Sequence, residues 1–137
     1  MDGVNEFNRG VIEEFRSHGG RVSGAFEGTP ILLLTSTGAR SGEQRTAPVA
    51  YLRDGERLIV FASKAGAPEN PAWYHNVTAD PHVTVEVGSE TLQMRADELR
   101  GEERDRLFAQ QVEALPQFGE YAKRTSRVIP VIALTRV

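Results

Sequence analysis

Residues 45–63 read RTAPVAYLRDGERLIVFAS. Two runs rich in β-branched and aromatic residues flank Asp54-Gly55, and an Asp-Gly step between such runs is a strong signal for a tight hairpin. Working outward, ILLLTST (31–37) is a compact apolar run that reads as a strand. Downstream, HVTVEVG (82–88) and TLQMRADEL (91–99) lie on either side of a Gly-Ser turn and make a second hairpin. The last segment, VIPVIALTRV (128–137), reads as a closing strand. Pro130 lacks an N–H, which predicts an edge or a bulge there.

The helices fall outside these strands. Val4, Phe7, Val11, Ile12 and Phe15 recur at helical spacing, so 4–17 reads as an amphipathic helix stopped by Gly19-Gly20. Its expected role is a lid on the core; acids on its polar face weigh against a membrane-surface role. Pro71 suits the first turn of a short helix that Asp80-Pro81 ends. Residues 101–114 read as a helix with Leu107, Phe108 and Val112 inward, and PQFGEYAKRT as a short helix or turn. The sum is about six strands and three or four helices. Hairpin links without strand–helix alternation predict a mainly β fold with flanking helices, an antiparallel sheet closed into a small barrel.

Composition bounds the function. At 137 residues the chain reads as a single domain, 1–137, able to bury a core. A net charge of −3 disfavours a general nucleic-acid surface. With no cysteine, disulfide scaffolds and thiolate metal sites are excluded. No apolar run approaches the ~18 residues of a spanning helix, and the N-terminus lacks a signal-peptide pattern, so the expected location is cytoplasmic.

Two stretches carry chemistry. In TSTGARSGEQRTAP (35–48), Thr37, Ser41 and Thr46 offer hydroxyls, Gly38 and Gly42 let backbone approach closely, and Arg40 and Arg45 add planar forks. That is the composition of an anion cradle, since guanidinium binds phosphate or carboxylate bidentately. Taken alone it also fits a polar hairpin turn with solvated arginines. In ASKAGAPENPAWYHN (62–76), Ser63-Lys64 ends a strand and small residues follow. Trp73 by itself reads as core packing, and His75 as a structural histidine that is also placed to bind a ligand. His18, His75 and His82 have no metal-ligand spacing, and no nucleophile motif is present. An enzyme so built needs a cofactor to supply reactivity.

The segment from Ile31 to Leu134 resembles the deazaflavin-dependent nitroreductase family of actinobacteria, most specifically in SKAGAPENPAWYHN (63–76). The resemblance implies a split β-barrel of the flavin-binding, pyridoxamine-phosphate-oxidase-like type. It implies reduced coenzyme F(420), an 8-hydroxy-5-deazaflavin, as hydride donor to a quinone or a nitroaromatic compound. Arg40 and Arg45 would hold the cofactor's phosphate and oligoglutamate tail, with Thr37, Gly38, Ser41 and Gly42 completing that loop. Thr46, Ala47, Pro48 and Val49 would run beside the ring. Ser63, Lys64, Ala65, Gly66, Ala67 and Pro68 would line phosphate and ring, and Trp73, Tyr74 and Asn76 would shape the pocket. Tyr121 and Ser63 would be the catalytic donors to the acceptor oxygen. Three family tyrosines correspond to Leu115, Phe118 and Tyr121, positions implied to face the substrate, and only Tyr121 keeps a hydroxyl. Leu115, Phe118, Val4 and Phe7 would cover the acceptor. Flavin mononucleotide (FMN) is the alternative cofactor, and a non-catalytic deazaflavin carrier the alternative role. Monomer and homodimer are both compatible, as is membrane association with a lipid-soluble quinone.

Overall fold

The computed structural model describes residues 3–22 and 28–137, with side chains from Asn8 onward. Helix α1 (Gly3–Ser17) is followed by strands β1 (Ile31–Thr37), β2 (Gln44–Asp54) and β3 (Arg57–Phe61). A 3-10 turn at Lys64–Gly66 and helix α2 (Ala72–Ala79) lead to β4 (His82–Val87) and β5 (Glu90–Leu99). Helices α3 (Gly101–Ala114) and α4 (Gln117–Arg124) precede the last strand, β6 (Val131–Arg136). The six strands close into an antiparallel barrel in the order β1-β2-β3-β6-β5-β4. No helix among the described residues is long and apolar enough to cross a membrane.

The apolar patterning follows from what covers each strand. Alternate residues of a strand face opposite sides. Leu32 and Leu34 of β1 fill the barrel with Leu58, Val60, Val83, Val85, Met94, Ile132 and Leu134. Ile31 and Leu33 face outward and meet Phe15 of α1. Ile59 and Phe61 of β3, with Val131 and Ala133 of β6, face outward into a second layer with Leu107, Phe108 and Phe118 of α3 and α4. Strands covered on both sides read as continuous apolar runs, which is why ILLL and LIVF lack alternation. In β4 and β5 buried positions alternate with more exposed ones.

Two expectations change. Pro130 marks neither an edge nor a bulge. It lies just before β6, which pairs with both β3 and β5, and its carbonyl accepts the Ala62 N–H at 3.0 Å. A proline one residue before a strand costs the ladder no donor. Phe118 does not face an acceptor: it is buried, with its ring edge-on to Phe61 at 5.9 Å, and Leu115 packs against the same cluster. A two-helix layer over the barrel needs these residues inward. The Val4 and Phe7 side chains lie outside the described residues.

Candidate active site

The β1–β2 connection is a tight turn whose backbone is closed on itself. Gly38 N–H donates to the Glu43 carbonyl at 2.7 Å and Gly42 N–H to the Gly38 carbonyl at 2.9 Å. The Glu43 N–H donates to Ser41 Oγ at 3.1 Å. Gln44 Nε2 donates to Thr37 Oγ1, and the hydroxyls of Thr35 and Thr46 bond across the strands at 2.7 Å. Asn76 of α2 anchors this turn from outside. It is buried, its Oδ1 accepts the Ala39 N–H at 3.0 Å, and its Nδ2 donates to Ser36 Oγ at 3.4 Å.

Between turn and helix runs a groove of about 940 Å³ lined by Gly38, Ala39, Arg40, Ser41, Gln44, Arg45, Thr46, Ala47, Ala72, Trp73, His75 and Asn76, with Asn8 of α1 at one side. That size suits a cofactor-sized ligand. Arg45, Ala47 and Val49 are two apart on β2 and share a face. Val49 is in the barrel core, Ala47 packs against that core and lines the groove, and Arg45 lines it further out. The inner row of the barrel thus becomes cationic as it leaves the core. Arg40 and Arg45 are exposed, and neither makes an ion pair or hydrogen bond within the described residues. Two unpaired guanidiniums beside a buried indole match a ligand with a flat ring and a polyanionic tail. On this observation the residues present fit a deazaflavin cofactor.

The second stretch is arranged differently. Ser63, Lys64, Ala65, Gly66, Ala67 and Pro68 are not among the residues lining the groove. Lys64 Nζ is paired with Glu69 Oε1 at 2.9 Å, and that partner lowers the Glu69 carboxyl below its usual range. Ser63 is buried. The turn is backed by α4, because Gly66 (φ 81°) leaves no room for a Cβ: one would sit 2.7 Å from the Tyr121 carbonyl oxygen and 2.9 Å from Arg124 Cβ. Tyr121 is half-buried with its ring against Phe118 at 5.1 Å, and its hydroxyl makes no hydrogen bond within the described residues. Tyr74 does not point its hydroxyl at the groove. It donates to Glu98 Oε1 at 2.8 Å, and burial followed by that bond raises its pKa.

Thr37, Gly42, Pro48 and Val49 do not line the groove; Thr37 and Gly42 bond within the turn and Val49 lies in the barrel core. His75 is exposed and lines the groove, its ring edge-on to Tyr74 at 5.5 Å and its carbonyl accepting the Thr78 hydroxyl at 2.9 Å. Arg127, at the head of the closing segment RVIPVIAL (127–134), has a role that sequence reading did not assign. Its guanidinium donates to the carbonyls of Ala62 (3.0 Å), Ser63 (2.7 Å) and Ala67 (3.0 Å) and to Asn70 Oδ1 (2.7 Å). It lies 57 to 65 residues from these partners, so no local pattern reveals what it holds.

Comparisons with known proteins agree with this geometry. A family model described as F(420)H(2)-dependent quinone reductase matches residues 7–136. An F(420)H(2)-dependent quinone reductase of Mycobacterium tuberculosis is 36% identical over 126 residues, covering 89% of this chain and 85% of the relative. A solved F(420)-H2 dependent reductase is 42% identical with a TM-score of 0.71, covering 77% of this chain and 93% of that one. A solved structure described as a domain-swapped dimer is 38% identical with a TM-score of 0.72, covering 96% of each chain. A Listeria innocua structure described as of pyridoxamine 5'-phosphate oxidase type shares the fold alone, at 16% identity and a TM-score of 0.56. With nearly the whole chain matched and curated relatives well above 30% identity, this protein belongs to the F(420)H(2)-dependent quinone reductase family.

Proposed function

We propose that the groove between the β1–β2 turn and α2 seats reduced coenzyme F(420) for reduction of a quinone, with Arg40 and Arg45 on its acidic tail. The observation that carries this reading is the pair of guanidiniums without partners among the described residues, lining a groove that Trp73 also lines. When bound, the reduced deazaflavin supplies a hydride. The chain's residues supply placement. Arg40 and Arg45 offer charge-assisted bonds to phosphate and carboxylates. Asn76 fixes the turn that carries Arg40. Trp73 and Ala47 give an apolar floor that orients a ring and holds back water.

The acceptor oxygen gains negative charge in the transition state, and a hydroxyl donor there lowers the barrier. Tyr121 is assigned that role, because its hydroxyl has no hydrogen-bond partner among the described residues. Ser63 is the second candidate donor. Lys64 serves the cofactor only by exchanging Glu69 for it, which makes Lys64 a weaker contributor than the two arginines. Nitroaromatic compounds are a second class of electron-poor acceptor for the same donor. FMN lacks the support that the family match gives to F(420). We also infer a cytoplasmic protein able to pair with a second copy, as its domain-swapped relative does; quinone solubility favours work near a membrane surface.

The test is direct. Protein, reduced F(420) and menadione are mixed and cofactor absorbance is followed. Acceptor-dependent oxidation, abolished without protein, is expected. Binding without acceptor-dependent oxidation would leave only a carrier.

A further inference from the structure

We infer that Arg127 is a positioning residue that holds the Lys64–Gly66 turn in its left-handed form for cofactor binding. Lys64 (φ 46°), Ala65 (φ 52°) and Gly66 (φ 81°) are three left-handed residues in a row, and only one of them is glycine. Left-handed backbone is disfavoured for residues with a Cβ, so such a turn needs an outside hold. Its own hydrogen bonds are few. Gly66 N–H donates to the Ser63 carbonyl and Ala67 N–H to the Lys64 carbonyl, and Ser63 provides no side-chain cap.

Arg127 brackets the strained stretch. Its bonds to Ala62 and Ser63 grip the backbone just before it, and those to Ala67 and Asn70 grip the chain just after. A planar guanidinium reaches both sides at once, whereas an ammonium is a single point. Burial pulls the Arg127 pKa down against the opposing charge of Glu69, which is the cost of placing a cation where only carbonyls and an amide receive it. α4 closes the remaining side through Gly66. The ends of the turn are therefore pinned, and with them the direction of Lys64 and of the backbone N–H groups at its tip.

This inference rests on the turn taking part in cofactor binding, so the test separates the two. Amide exchange of residues 64–70 is measured in cofactor-free protein, and cofactor affinity by titration, for wild type, Arg127→Met and Arg127→Lys. Arg57→Met is the control, since the Arg57 guanidinium likewise bridges two segments, donating to Asp54 and Glu103, at the end of β3 opposite this turn. Arg127→Met should speed exchange in the turn about 100-fold, from roughly tenfold for each left-handed residue carrying a Cβ, and weaken cofactor binding about tenfold. Arg127→Lys should recover little of either, and adding Ala65→Gly to Arg127→Met should restore part of the affinity, because glycine accepts φ > 0 freely. Unchanged exchange in Arg127→Met, or the same increase in Arg57→Met, would overturn the clamp. Faster exchange with wild-type affinity would overturn its link to binding. Failure of wild type to bind in the same titration would instead overturn the cofactor reading itself.

Discussion

Replacing Gly66 by alanine tests whether the Lys64–Gly66 turn is seated on α4. Two costs add. The backbone sits at φ 81°, where a Cβ costs about 1–2 kcal/mol. The new methyl would lie 2.7 Å from the Tyr121 carbonyl oxygen and 3.1 Å from its Cα, and backbone cannot swing aside as a side chain can. Displacing packed structure of this kind costs about 1–3 kcal/mol. Gly42 supplies the matched control. Its φ is 73°, with open space around the position of a Cβ, so Gly42→Ala carries the first cost alone. Urea unfolding at pH 7 should place Gly66→Ala about 2–5 kcal/mol below wild type and Gly42→Ala about 1–2 kcal/mol below, with unchanged slopes. The difference is the contact between turn and helix. Because Tyr121 sits at that contact, quinone turnover should fall in Gly66→Ala as well. Equal destabilisation by the two substitutions would refute the packing of the turn on α4.

Other consequences follow from the site. Tyr121→Phe should lower turnover about 100–1000-fold while leaving cofactor affinity unchanged, as stopped-flow and binding titrations would read, since a single oxyanion donor is worth about that much. Asn76→Ala should destabilise the fold by about 1–2 kcal/mol and weaken cofactor binding together, because it frees the turn that carries Arg40. Tyr74 sets an alkaline limb. Its pKa is raised above 10.0 in the folded state, so it contributes stability that is present below 10.0 and is lost as pH rises through the raised value. Denaturant midpoints should therefore fall less steeply above about pH 10 in Tyr74→Phe than in wild type.

The barrel was legible in the sequence because hairpins announce themselves locally: Asp54-Gly55 between two strand-like runs, and alternation in β4 and β5. The ILLL and LIVF runs needed one further idea, that helices cover the outer face as well. Pro130 was misjudged because a residue's place in a closed sheet depends on strands far away in sequence. In the site, the glycines and arginines of residues 38–45 stood out, since close backbone approach and bidentate charge have few substitutes. The Glu69 partner that occupies Lys64, the clamp by Arg127 and the anchoring by Asn76 were not legible. The last two join segments 37 to 65 residues apart, which neither spacing nor composition encodes. Phe118 illustrates the converse: a position aligned with a family tyrosine was absorbed into the layer beneath α4.

The central claim is that Arg40 and Arg45 grip an acidic tail. It is tested by titrating wild type and the Arg40→Gln/Arg45→Gln double variant with intact F(420) and with the deazaflavin ring lacking phosphate and glutamates, at low and high salt. Each charge-assisted contact at an exposed site is worth about tenfold. The double variant should lose about 100-fold in affinity for the intact cofactor, with most of the salt dependence, and bind the bare ring as wild type does. Equal affinity of the two proteins for intact cofactor at low salt would contradict the account.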